Sequence, residues 1–352
     1  MDEPNATPEP PLVIPISVAK PPQPGFFEAV AFTFAFGVVL FGTVIVIVIA
    51  ALIWLLIRDG ANALQQPAGV DPTSVAAVPP DLIEPLAWSF PAGYAVGLLF
   101  TLLVFRIVAG RGWTREVGLR RLPVSHLLLG ILALPGFVVV SDAIARLLFH
   151  LSGMDQAGEE QGQALGQLFG SYHWAFAVLA VGIGPGLVEE LWCRGFLGRG
   201  LVSRYGWLQG VFFTSLFFGC LHLWPPPFVV VTAIMGAGLH FLYAMSRSLW
   251  VPITVHLLNN SFAVLMAVGV IPAERIENAF QARPVLITAA ASLLLVTVGL
   301  AMWSARGRVP KSIAPLGIMV PAGCTVQYER LRLVWTILAV GFCGGLLALM
   351  FS

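Results

Sequence analysis

Charge is what this sequence has least of. Of its 352 residues 11% are Asp, Glu, Lys or Arg and 58% are hydrophobic, whereas soluble domains carry about 25% charged residues. A chain so composed cannot clothe a core in a solvated surface. It reads as an all-α, polytopic membrane helical bundle whose first partner is the lipid bilayer. Cysteine is scarce too. Cys193, Cys220, Cys324 and Cys343 show no CxxC spacing, which argues against a disulfide framework or a zinc ribbon and leaves them as packing residues. There is no basic run to hold phosphates, so nucleic acid is not an expected partner. Residues 1–25 are proline-rich and acidic, with Lys20 as their one base and no short apolar core; they read as a disordered cytoplasmic tail rather than a secretory signal. No repeat of fixed period is visible.

What is present is a series of long apolar runs, near 27–57, 86–108, 125–149, 174–198, 207–223, 227–246, 250–270, 284–304 and 331–351. At about 20 residues per crossing, these predict about 8–9 transmembrane helices, the first over-long and the fifth short. Loop charge sets the orientation. Fourteen of the nineteen Lys and Arg residues fall on one side, Arg58, Arg146, Arg275 and Arg283 fall on the other, and Arg194 lies within a span. The positive-inside rule puts the N-terminus in the cytoplasm. Nine spans would leave the C-terminus outside, and the expected location is the cell (inner) membrane. Four regions are expected: the tail to residue 25, an accessory region over 26–117, a functional core over 118–270 and accessory helices over 271–352.

The polar groups inside these runs are few and grouped. Glu189 and Glu190 stand side by side in PGLVEELWCRGFL, where an acidic residue at membrane depth costs about 2.5–3.5 kcal/mol on insertion scales. Residues four apart share a helix face, so Glu190 can pair with Arg194. Glu189 points about 100° away and is left free to act on something else, such as a water. Gly182 and Gly186 precede the doublet one turn apart and allow close approach of a neighbouring helix. Downstream come Phe218 and His222 in FGCLH, then His256 and Asn260 in HLLNN. The midpoint between Glu189 and His222 falls between Tyr205 and Gly206, in the polar segment SRYGW that reads as a turn, so an antiparallel helix pair sets the two at matching heights. Straight helices would nonetheless part His222 and Asn260 by roughly 15 Å along the membrane normal, a gap that tilted or broken helices, or a re-entrant Pro225–Pro227 segment, must close.

A glutamate beside a histidine can activate water, and a second His with an Asn can stabilise an oxyanion, which points to hydrolysis of a peptide bond. Two other readings compete. A structural Glu–Arg pair would suit a non-catalytic scaffold or immunity protein of the same fold. A carboxylate–imidazole relay would suit a proton-coupled transporter, although the paired, interrupted halves of such transporters are not visible. Zinc is the alternative cofactor, with Glu189, His222 and His256 as its ligand set, but there is no HExxH. His126, His150, His173 and His240 read as packing or interfacial residues.

The three motifs EExxxR (Glu189, Glu190, Arg194), FxxxH (Phe218, His222) and HxxxN (His256, Asn260), in that order on successive helices, resemble the CAAX-protease and bacteriocin-processing (CPBP, or Abi) family of intramembrane endopeptidases. The likeness extends over Gly118 to Gly269 and includes the GLRR segment Gly118–Arg121. It implies a helical intramembrane protease acting on a membrane-associated or prenylated (CAAX-type) protein or peptide. Glu189 would be the general base and His222 its partner; Glu190 and Arg194 would organise the site; His256 and Asn260 would form the oxyanion hole. No metal or other cofactor is required by that mechanism.

Overall fold

A computed structural model describes residues 24–60, 78–108, 110–119, 121–223 and 225–305. The described residues form ten principal helices: α1 (Phe26–Asp59), α2 (Pro80–Val108), α3 (Val124–Leu151), α4 (Asp155–Phe169), α5 (Trp174–Tyr205), α6 (Trp207–Cys220), α7 (Pro226–Ser246), α8 (Trp250–Ala267), α9 (Ala273–Ala282) and α10 (Pro284–Ala305). The chain is an integral membrane helical bundle. Seven of these helices, α1, α2, α3, α5, α7, α8 and α10, are long and apolar enough to cross a membrane. The expected fifth span is α6, and its 14 residues cover about 21 Å at 1.5 Å per residue, short of a 30 Å hydrocarbon core. The ninth expected span, 331–351, lies outside the described residues, as do the tail to residue 23, Cys324 and Cys343.

Side chains such as Phe27, Ile57, Leu208 and Val285 are more than 70% exposed on the outer face of the bundle. Such a surface suits lipid and not water. Because lipid is as apolar as leucine, association of these helices rests on close packing, and glycine permits it. At Gly97 of α2 a Cβ would sit 2.6 Å from Leu40 of α1, and at Gly136 of α3 one would sit 2.9 Å from the Ala291 carbonyl of α10. Trp192 of α5 stacks on Phe36 of α1 with centroids 4.5 Å apart, in a core that also takes Phe105, Phe196 and Phe213.

Two features of α5 and α6 prepare the site. α5 is not a uniform α-helix: Val178–Ile183 and Leu191–Gly198 are π-helical, flanking the stretch that carries the two glutamates. Such widened turns are frequent at functional sites. The turn expected at SRYGW forms at Gly206, whose φ of 82° favours a residue without a Cβ. α6 then runs back along α5 and stops at Cys220. After it the chain turns through Leu223, φ 56°, and Pro225 caps α7. Outside the membrane spans, α9 is tied to α3 by Arg146, which donates to both oxygens of Glu277 at 3.0 and 2.6 Å.

Candidate active site

The register between α5 and α8 is set by glycine. A Cβ at Gly186 would lie 2.9 Å from the Leu257 backbone, and at Gly182 one would press on Ser261. This contact carries His256 to the glutamates. Its Nδ1 lies 2.8 Å from Glu190 Oε1, and its Nε2 lies 3.9 Å from Glu189 Oε2. Beside a carboxylate, Nδ1 is the protonated nitrogen. Nε2 then accepts from the Asn260 amide at 3.2 Å, which leaves Asn260 a second amide hydrogen for a ligand. Neighbouring Asn259 donates to Asn260 Oδ1 at 3.2 Å and thereby orients that amide.

Glu190 and Arg194 form the pair expected from their spacing, both fully buried. One guanidinium nitrogen donates to Glu190 Oε1 at 2.6 Å and another to the Gly236 carbonyl of α7 at 2.7 Å. The cation also lies over the Phe218 ring, 4.7 Å from its centroid. Phe218 in turn is 5.0 Å from the His222 ring and 5.7 Å from that of His256. The aromatic residue of the second motif thus joins the Glu–Arg pair to both imidazoles. Glu189 is 6% exposed and takes a different partner: the Tyr94 hydroxyl of α2 donates to its Oε1 at 2.7 Å. Its Oε2 has no hydrogen-bond partner among the described residues. His222 Nδ1 donates to the Phe218 carbonyl at 2.9 Å, leaving Nε2 of the neutral ring as an acceptor.

Glu189, His222, His256 and Asn260 all line one cavity of about 520 Å³, together with Tyr94, Phe218 and Asn259 and a mainly apolar wall. His222, in the turn beyond Cys220, and Asn260 line this one cavity, so the offset of roughly 15 Å expected for straight helices does not keep them apart from a common site. Glu190 and Arg194 sit behind this wall. The other histidines are elsewhere: His126 and His240 are buried in packing, His173 caps the start of α5 and His150 lies near Asp155. Cys193 is a buried free thiol.

Among the described residues no three His, Cys, Asp or Glu side chains are grouped to hold one ion, and both ring nitrogens of His256 are already engaged. Sequence reasoning missed Tyr94 and Asn259. Asn259 could have been found as the other half of the NN pair; the signal for Tyr94 is a lone phenol between Gly93 and Gly97 in an apolar helix.

Comparison with known proteins agrees with the motifs. Residues 171–262, from the start of α5 through Asn260, match the family described as Type II CAAX prenyl endopeptidase Rce1-like. The resemblance read from the sequence holds over this stretch. The chain is also 33% identical over 84 residues to the candidate membrane peptidase YdiL of Bacillus subtilis (strain 168), covering 24% of this chain and 34% of that protein. The chain thus spans about a third of the curated relative it matches. No solved structure gives a significant match.

Proposed function

We propose that the chain is an intramembrane endopeptidase that hydrolyses a peptide bond of a membrane-associated, CAAX-type prenylated protein or peptide. The observation that carries this reading is the convergence of Glu189, His222, His256 and Asn260 on one largely apolar cavity inside the bundle. Glu189 Oε2 takes a proton from water, and His222 Nε2 accepts the water's other hydrogen and aims its lone pair at the carbonyl carbon. The oxyanion that forms takes the free amide hydrogen of Asn260, whose other amide hydrogen is held by His256 Nε2 while that ring's Nδ1–H stays on Glu190. Glu189 returns the proton to the departing amine, and the water's second proton, held at His222 Nε2, follows it, giving a carboxylate and an ammonium group as products. Glu190 and Arg194 hold His256 and Phe218 in place and do not touch substrate. No step needs a metal.

The positive-inside count supports a cytoplasmic N-terminus in a cell (inner) membrane and a scissile bond near the cytoplasmic leaflet or mid-bilayer. The substrate class is tested with purified protein in liposomes and a farnesylated CAAX peptide. Mass spectrometry is expected to find a product lacking the last three residues, formed by wild type and not by Glu189→Ala. An intact peptide after prolonged incubation would remove prenylated CAAX sequences from the reading.

A further inference from the structure

Among the described residues, Tyr94 is the one polar side chain in the cavity wall that contacts Glu189 yet belongs to none of the three motifs and takes no part in the steps above. Its hydroxyl donates to Glu189 Oε1 at 2.7 Å. The phenol is fixed from the other side by Gly184 of α5, where a Cβ would meet the ring atoms at 3.0–3.1 Å. Its helix is held against α1 through Gly93 and Gly97. The ring therefore reaches Glu189 from a rigid element rather than a loop. The terminal torsion of a glutamate is broad and roughly two-fold, so an untethered carboxylate presents either oxygen in varying directions. Here Oε1 is occupied, and Oε2, which has no hydrogen-bond partner among the described residues, lies 3.9 Å from His256 Nε2.

We infer that Tyr94 is a positioning residue for Glu189: its hydroxyl pins Oε1, so that Oε2 is the oxygen presented to the attacking water. This rests on Glu189 being the general base. The phenol neither binds substrate nor exchanges a proton in the reaction; it removes the freedom of the group that does. Loss of one hydrogen bond to a charged group then lowers turnover by about tenfold without altering substrate affinity.

The test uses the purified full-length chain in liposomes, an internally quenched farnesylated CAAX peptide, and the variants Tyr94→Phe, Glu189→Gln and the double variant. Tyr94→Phe keeps the ring that packs on Gly184. It is expected to lower kcat about tenfold, leave KM and the melting temperature unchanged, and add no further loss to the residual rate of Glu189→Gln. The infrared carboxylate band that disappears in Glu189→Gln is expected to shift in Tyr94→Phe. If Glu189→Gln is inactive while Tyr94→Phe turns over at the wild-type rate, the inference about Tyr94 alone is overturned. A lowered melting temperature, or a loss that multiplies in the double variant, makes Tyr94 a packing residue and overturns it as well. Glu189→Gln cleaving at the wild-type rate overturns the general-base reading and the role of Tyr94 together.

Discussion

Replacing Arg194 by Ala should damage folding more than any single change at the cavity surface. The side chain is fully buried and makes three contacts: Glu190 Oε1 at 2.6 Å, the Gly236 carbonyl at 2.7 Å and the Phe218 face at 4.7 Å. Its removal leaves Glu190, also 0% exposed, as a charge with only His256 Nδ1 beside it. Breaking a buried pair from one side costs about 3–5 kcal/mol. The orphaned Gly236 carbonyl would add about 1–3 kcal/mol if the defects were independent. They share one network, so the sum overcounts. The expected loss is therefore about 3–5 kcal/mol in all. At about 2 °C per kcal/mol for a large domain, the melting temperature in detergent should fall by about 6–10 °C. Glu190→Gln combined with Arg194→Met should be less harmful than Arg194→Ala, because no lone charge remains. An Arg194→Ala protein that melts within 1 °C or so of wild type would show that the guanidinium contributes no such stabilisation.

Glycine contacts offer a second check: Gly186→Ala sets a methyl against the Leu257 backbone and should cost about 1–3 kcal/mol together with much of the activity. Gly42→Ala, where nothing lies within 4 Å, should leave both unchanged; thermal melts and reporter rates compare them. Cleavage should survive exhaustive chelation, because a zinc enzyme would lose its activated hydroxide with the ion and this mechanism has none to lose. Elemental analysis of active protein should find no stoichiometric zinc that is lost in His222→Ala or His256→Ala. At the surface, burial pushes the Glu277 carboxyl up, but the Gln281 amide and the Arg146 guanidinium outweigh it and hold the group below the usual carboxylate range. A lowered folded value means that this stabilisation is present above the unfolded value of about 4.3 and is lost as pH falls through the folded one. Hydrogen exchange in α9 should rise on such acidification in wild type and should already be raised at neutral pH in Arg146→Met.

Most of the site could be read from the sequence because its signals are local. The i,i+4 spacing of Glu190 and Arg194 needs only helix geometry, and the glycines at 182 and 186 announce a close neighbour without naming it. The reflection about Gly206 brought His222 toward Glu189, and the same reflection brings Phe218 under Arg194. Tyr94 escaped because its partner is 95 residues away, a distance no periodicity encodes, and because a phenol in an apolar helix has the same pattern as a packing aromatic. The π-helical turns of α5 also left no trace, since Val178–Ile183 and Leu191–Gly198 are composed like any apolar helix. The early end of α6 was half legible: the proline run gave the break, but not that His222 would sit in the turn before it and line one cavity with Asn260.

The central claim is that Glu189 activates water for peptide-bond cleavage within the membrane, and it can be tested without knowing the substrate. Membranes from cells making wild-type protein or Glu189→Gln, at equal abundance, are compared by mass spectrometry for newly exposed C-termini. Glutamine keeps the volume and can accept the Tyr94 hydrogen bond, but cannot take a proton from water. The account predicts truncated membrane-associated proteins or peptides with wild type and none with the variant. Identical sets of C-termini from the two membranes, with Glu189→Gln folded and melting as wild type does, would contradict it.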